Sequence, residues 1–184
     1  MTTTETVRLP VGTWDIDPVH SEVGFAVRHM MVSKVRGRFA SFSGEIVTAE
    51  NFLDSSVTAS IDLVSINTGN EQRDEHIRSA DFLDVANHPT MTYRSTGLRR
   101  DGENYVLDGE LTLRGVTRSV PLALEVTGFG PDAYGGTRAG FSATAAINRS
   151  DFGVDISPPL DGGGVVLSDK VEIQLDVQAV LRAG

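Results

Sequence analysis

The stretch from Val171 to Ala179 constrains the fold more tightly than any other. Val171, Ile173, Leu175, Val177 and Ala179 alternate with Glu172, Gln174, Asp176 and Gln178. A period of two gives an extended chain one apolar and one polar face, whereas a helix would need its apolar positions three or four residues apart. The same alternation recurs upstream. Residues 14–16 read as a short strand and Asp17-Pro18 as a turn, after which Ser21, Val23, Phe25 and Val27 share one side and Glu22, Gly24, Ala26 and Arg28 the other. Val35, Gly37, Phe39 and Ser41 resume the pattern before Phe42-Ser43-Gly44, where the glycine predicts a bulge or bend. Val57, Ala59, Ile61 and Leu63 form a third long strand, and residues 91–98 another. Asp101-Gly102 signals a hairpin into the strand carrying Tyr105, Leu107, Leu111 and Leu113, and Arg114-Gly115 turns the chain again. Val120 to Val126 and Phe141 to Ile147 flank a Gly- and Pro-containing loop over 128–136. Roughly eight strands joined by short turns predict an all-β, antiparallel barrel or sandwich rather than βαβ units.

One stretch breaks the alternation. Residues 68–83 predict a short helix near 70–81, with Thr68 and Glu71 spaced as a capping box, Asn70 as a competing N-cap, and Asp74 and Arg78 spaced as an ion pair. Its apolar side is thin, with Ile77 and Ala80 on the helix and Phe82 and Leu83 just beyond. Such a helix cannot nucleate a core of its own, so it is expected to lid one mouth of the barrel.

Length and charge narrow the function. A chain of 184 residues suits one domain, here 13–184, after a loose segment over 1–12. A net charge of -9 repels phosphate backbones and anionic lipid surfaces unless basic residues gather locally, which speaks against nucleic-acid binding. Without cysteine there are no disulfides, thiol nucleophiles or thiolate metal sites. The first eleven residues lack the apolar core of an export signal, so a cytoplasmic location is expected, and no apolar run approaches spanning length, so no stable membrane insertion is expected. His20, His29, His76 and His88 match no zinc spacing, and Gly-x-Ser-x-Gly is absent, so neither metal, cofactor nor hydrolytic triad is predicted. Gly162-Gly163-Gly164 is followed by no helix start and reads as a loop rather than a phosphate cradle.

Several multi-residue motifs, taken in order, resemble those of the YceI-like family. They are Asp17-Pro-Val-His-Ser21 running into Val23-Gly-Phe-Ala-Val-Arg-His29, then Val35-Arg-Gly-Arg-Phe39, Asp74-Glu-His-Ile-Arg-Ser-Ala-Asp-Phe-Leu-Asp84 and Pro89. Leu111-Thr-Leu-Arg-Gly-Val-Thr-Arg118 and Ile147-Asn-Arg-Ser-Asp-Phe-Gly153 follow, so the likeness covers nearly the whole chain. The resemblance implies a lipocalin-like barrel with a lidding helix, a homodimer, and polyisoprenoid or related long-chain lipid bound in the core, with no catalytic activity.

Alternation and resemblance together predict a cavity lined by Phe25, Val27, Phe39, Phe42, Phe82, Met91, Phe141 and Phe152, with Met30 and Ile77 near its mouth. Arg36, Arg73, Asp74, His76 and Arg78 are the head-group candidates. Two other readings stay open at this level. One is a filled barrel serving as an interaction or stress-response module; the other is an enzyme acting on a lipid-like substrate, for which His20, His29 or His76 with Asp74 would have to meet inside the barrel.

Overall fold

An open sheet leaves two rows of unpaired backbone groups, and this chain removes them by closing the sheet on itself. The computed structural model describes residues 9–29, 33–154 and 167–183. Its elements are β1 (Gly12–Ile16), β2 (Glu22–His29), β3 (Ser33–Phe39), β4 (Phe42–Thr48), β5 (Ser56–Asp62), β6 (Ile66–Asn67), α1 (Glu71–Arg78), β7 (Thr90–Asp101), β8 (Asn104–Leu113), β9 (Val116–Ser119), β10 (Leu122–Pro131), β11 (Thr137–Asn148) and β12 (Leu167–Leu181). Every pairing between them is antiparallel. β1 runs into β2, β3 into β4 and β5 into β6 across short kinks, so the barrel is a meander of eight composite strands with β9 as a side hairpin on β8. β12 closes it by pairing with β2 through residues 167–176 and with β1 through 179–181.

The kinks are held by side chains where the ladder lapses. Between β1 and β2, Asp17 N and Ser21 Oγ both donate to Gln178 O, and Gln178 N donates back to Ser21 Oγ. Asp17 also accepts from Val19 N through its side chain, the turn role expected of it. Between β3 and β4 the bend falls at Ala40-Ser41 rather than at Gly44. Ser41 N donates to Ser65 Oγ, and Ser41 Oγ to Asp62 Oδ2, so the backbone can leave the ladder there without burying unpaired groups. Gly44 stays inside β4 for a different reason: a Cβ would strike Ile16 and the Thr58 carbonyl.

Gly102, with φ 63°, takes the first central position of the two-residue loop joining β7 to β8, as Asp101-Gly102 predicts. Arg114 and Gly115, φ 53° and 75°, form the β8–β9 turn. β9 itself is absent from the sequence reading, because Val116-Thr-Arg-Ser119 is short, exposed and carries one apolar residue.

The end of the barrel away from α1 is solidly packed. Trp14 is 0% exposed and lies in the core, paired across the ladder with Ile46. Its Nε1 donates to Thr48 Oγ1, which donates in turn to the Pro10 carbonyl, so the indole is buried without an orphaned donor. Leu9 is buried in the same core.

Candidate functional site

The other half of the barrel is not filled. A cavity of about 300 Å³ occupies it, at the lower end of the range for ligand sites. Its origin is visible in the register of β11 and β12, whose inward faces set Ala143 opposite Leu175 and Ala145 opposite Ile173. Gly37 and Ala59 also stand at inward positions of β3 and β5, so side chains that could meet across the barrel are replaced by small ones. The large apolar groups on the wall toward α1, Phe25, Val27, Phe141, Val171 and Ile173, are accordingly only half-buried, whereas Ile46, Phe52 and Leu98, which line the cavity toward Trp14, are buried. A barrel packed throughout would have covered both sets.

Eight of the ten residues expected to line the cavity do so: Phe25, Val27, Phe39, Phe42, Ile77, Phe82, Met91 and Phe141. Met30 lies outside the described residues. Phe152 is buried, at 1% exposure, within the 3-10 turn 149–152 and does not reach the cavity wall. Leu124, Ile147, Leu175, Val177 and Leu83 line it too. Ile147 shares a strand parity with Phe141, Leu175 and Val177 share one with Val171, and Leu124 shares one with Leu122, which is the sequence signal that marks them.

Polar residues on the wall are few: Ser43, Ser55, whose Oγ accepts from Ala49 N, Tyr93 and Arg149. Tyr93 Oη donates to the Val120 carbonyl at 2.8 Å, and burial pushes that phenol above its ordinary range, so it stays a neutral donor. Its ring lies where a Cβ on Gly109 would be. Arg149 is the one charged side chain on the wall among the described residues, and its Nε and Nη1 donate to the carbonyls of Ser168 and Val154 at 3.0 and 2.8 Å.

α1 sits at the cavity end of the barrel, and Ile77, Phe82 and Leu83 reach the wall from it and the chain that follows. Its N-cap is Asn70, which accepts from Arg73 N; Thr68 instead donates, through its N and Oγ1, to the Asp74 carboxylate. Asp74 is thereby 97% buried and does not pair with Arg78, whose Nε and Nη2 donate to the carbonyls of Val64 and Ile66. Those carbonyls lie at the kink between β5 and β6, which explains why Arg78 turns to them and meets Glu71 rather than Asp74, at 3.4 Å. Arg73 is bound to Thr68 through Nε and Nη2. His76 Nε2 lies 3.1 Å from Asp81 Oδ2, and its ring stands edge-on to Phe82. Arg36 points outward from β3, because Val35 and Gly37 take the inward parity. None of these five side chains lines the cavity.

Of the candidate enzyme groups, the His29 side chain lies outside the described residues, and the others do not meet inside. His20 stands with Asp17 and Arg138 on the outside of the β1–β2 kink, and Asp74 and His76 are committed to the rim. Arg114 completes the rim by donating to the carbonyls of Gly153 and Ala80, tying the 3-10 turn 149–152 to the chain after α1.

Comparison with known proteins agrees with this architecture. "Protein YceI" of Escherichia coli O157:H7 is 36% identical over 169 residues, covering 90% of this chain and 84% of that one. Among solved structures, Burkholderia cenocepacia BcnA superposes with a TM-score of 0.77 at 21% identity, over 89% of this chain and 98% of the other. A polyisoprenoid binding domain from Saccharophagus degradans, implicated in plant cell wall breakdown, gives 0.72 at 19% identity, over 94% of this chain and 100% of the other. These two likenesses establish the barrel. The model of the YceI-like domain matches residues 14–179, and the chain belongs to the YceI-like family.

Proposed function

We propose that residues 13–184 act as one binding unit that sequesters a long-chain amphiphile of the polyisoprenoid class, for carriage or storage, and catalyse nothing. The observation that carries the reading is the wall itself: a cavity of about 300 Å³ lined, among the described residues, almost wholly by hydrocarbon, with Tyr93 and Arg149 already bonded to carbonyls. Such a wall favours a molecule whose inserted part is all hydrocarbon, since any polar group drawn in would be desolvated without a partner. The binding of polyisoprenoid by the Saccharophagus degradans domain, which shares this barrel, supports the choice of chain. In this reading the tail enters past Ile77 and Phe82, and the head group stays outside, near Arg73, His76 and Arg78. We further propose a homodimer, to be read directly by analytical ultracentrifugation.

Native mass spectrometry of the purified protein tests the function. A bound adduct of lipid mass, exchangeable for an added prenol, is expected. Clean unliganded mass after repeated exposure to prenyl alcohols would overturn the reading.

A further inference from the structure

The chain's net charge of -9 conceals a cationic face. On the outer surface, β2 and β3 present Arg28, Lys34, Arg36 and Arg38, all exposed, and β12 adds Lys170 beside them. The parity that turns Val27, Val35 and Phe39 inward is what gathers these cations outside. Arg28 and Lys34 stand directly opposite each other in the ladder. Like charges in that arrangement repel, and among the described residues they are met by Glu172, whose carboxyl Lys34, at 2.9 Å, together with Lys170 and Arg28 holds below the ordinary range. Arg36 and Arg38 have no hydrogen-bond or ion-pair partner among the described residues. Their cross-strand neighbours on β2 are Ala26 and Gly24, which are small and leave the two guanidinium groups standing clear of the sheet, with the Glu22 carboxylate reaching toward Gly24 at the Arg38 edge. Residues two apart on a strand are only about 7 Å from one another.

The face lies at the α1 end of the barrel, because β2 ends and β3 begins there. On the helix side of the same mouth the exposed charges are largely acidic, with Glu71, Glu75 and Asp81. Glu22 and Asp176 mark where the cationic face stops toward the opposite end.

We infer that the outer face of β2 and β3 docks on an anionic lipid bilayer, setting the cavity mouth at the membrane with the helix side turned away. Charge complementarity selects this occupant. The cations form a flat lattice with no aromatic platform among them, which suits a plane of head groups better than the stacked bases of a nucleic acid. Overall repulsion does not forbid docking, since at physiological salt the field of the remote acids is screened beyond about 8 Å while the patch itself is in contact. The inference does not depend on what the cavity holds.

Flotation with vesicles of phosphatidylcholine alone, and of phosphatidylcholine and phosphatidylglycerol in equal parts, tests it at low and high salt. Each basic residue at an anionic surface is worth roughly fivefold in partitioning. The wild type should bind the anionic vesicles and be released from them at high salt, and Arg36→Gln with Arg38→Gln should lower partitioning about twenty-five-fold. Arg94→Gln with Arg118→Gln, an equal charge change on the opposite side of the barrel, should leave it within about threefold. All four positions are exposed, so matching melting temperatures will show that each pair folds. No anionic binding by the wild type overturns the inference, as do equal losses in the two pairs, or binding of duplex DNA or an acidic peptide without binding to vesicles. Because these vesicles contain no isoprenoid, a protein that captures prenols from detergent yet ignores them refutes the docking face and leaves the cargo reading standing.

Discussion

Truncating two phenylalanines that differ only in what surrounds them separates a cavity from a packed core. Phe152 is 1% exposed and enclosed on all sides, so Phe152→Ala should cost about 3 to 5 kcal/mol, the usual loss for a core aromatic. Phe25 is half-buried, packed against Phe39 at 5.6 Å between ring centroids and over Gly37 on one side, with the void on the other. Its ring therefore has fewer partner atoms than an enclosed one, and Phe25→Ala should cost less, about 2 kcal/mol. For a chain of this size each kcal/mol shifts the melting temperature by about 2 to 4 °C, so Phe152→Ala should melt roughly 6 to 20 °C and Phe25→Ala roughly 4 to 8 °C below the wild type. Urea titration of lipid-free protein gives the same comparison as free energies. Adding a prenol at about a hundredfold its dissociation constant should restore about 2.7 kcal/mol to Phe25→Ala if it still binds. Equal losses at the two positions, or a larger loss at Phe25, would refute the claim that Phe25 faces empty space.

Other substitutions follow from the same geometry. Gly37→Val should cost under about 1 kcal/mol, because the Phe25 ring can yield into the void, yet reduce prenol capacity; Gly109→Ala should cost more, because the Tyr93 ring is pinned by its bond to the Val120 carbonyl, and thermal melts with binding titrations separate the two. Tyr93→Phe should destabilise by about 1 to 3 kcal/mol by leaving that carbonyl without its phenol donor, read in urea. Arg138, and then His20, hold the Asp17 carboxyl well below its ordinary value of 3.8. The unfolded chain therefore takes up that proton first as pH falls, so the stability contributed is full above about pH 5 and drains below it. Asp17→Asn should flatten the acid limb of a plot of urea midpoint against pH. Arg114→Gln, which frees the carbonyls of Gly153 and Ala80, should quicken lipid release measured by stopped-flow exchange.

An all-β antiparallel fold was legible because the two-residue period extends over most of the strands, and the resemblance to the YceI-like family chose the barrel over a sandwich. β9 was not, since Val116-Thr-Arg-Ser119 shows no alternation and owes its place to the turn at Arg114-Gly115. The bend between β3 and β4 was misplaced for a related reason. A glycine advertises conformational freedom, but at Gly44 it serves close packing, while the bend is made by Ser41, Asp62 and Ser65 across a sequence gap that local reading does not span. Most of the cavity wall followed from parity alone. Phe152 escaped it because a 3-10 turn has no such parity. The helix charges were the least readable: Asp74 and Arg78 have ion-pair spacing, but each finds backbone-linked partners outside the helix that no spacing rule exposes.

Affinity as a function of prenol chain length tests the central claim most directly. Burying each CH₂ is worth about 0.8 kcal/mol, so an isoprene unit drawn wholly inside could add roughly 3 kcal/mol before ordering costs. Calorimetry across a series of prenyl alcohols should show affinity rising steeply with unit number and then levelling once the tail fills the space beneath α1, with the break marking its depth. A series that climbs without a break, or does not climb, would contradict a closed apolar cavity as the binding site.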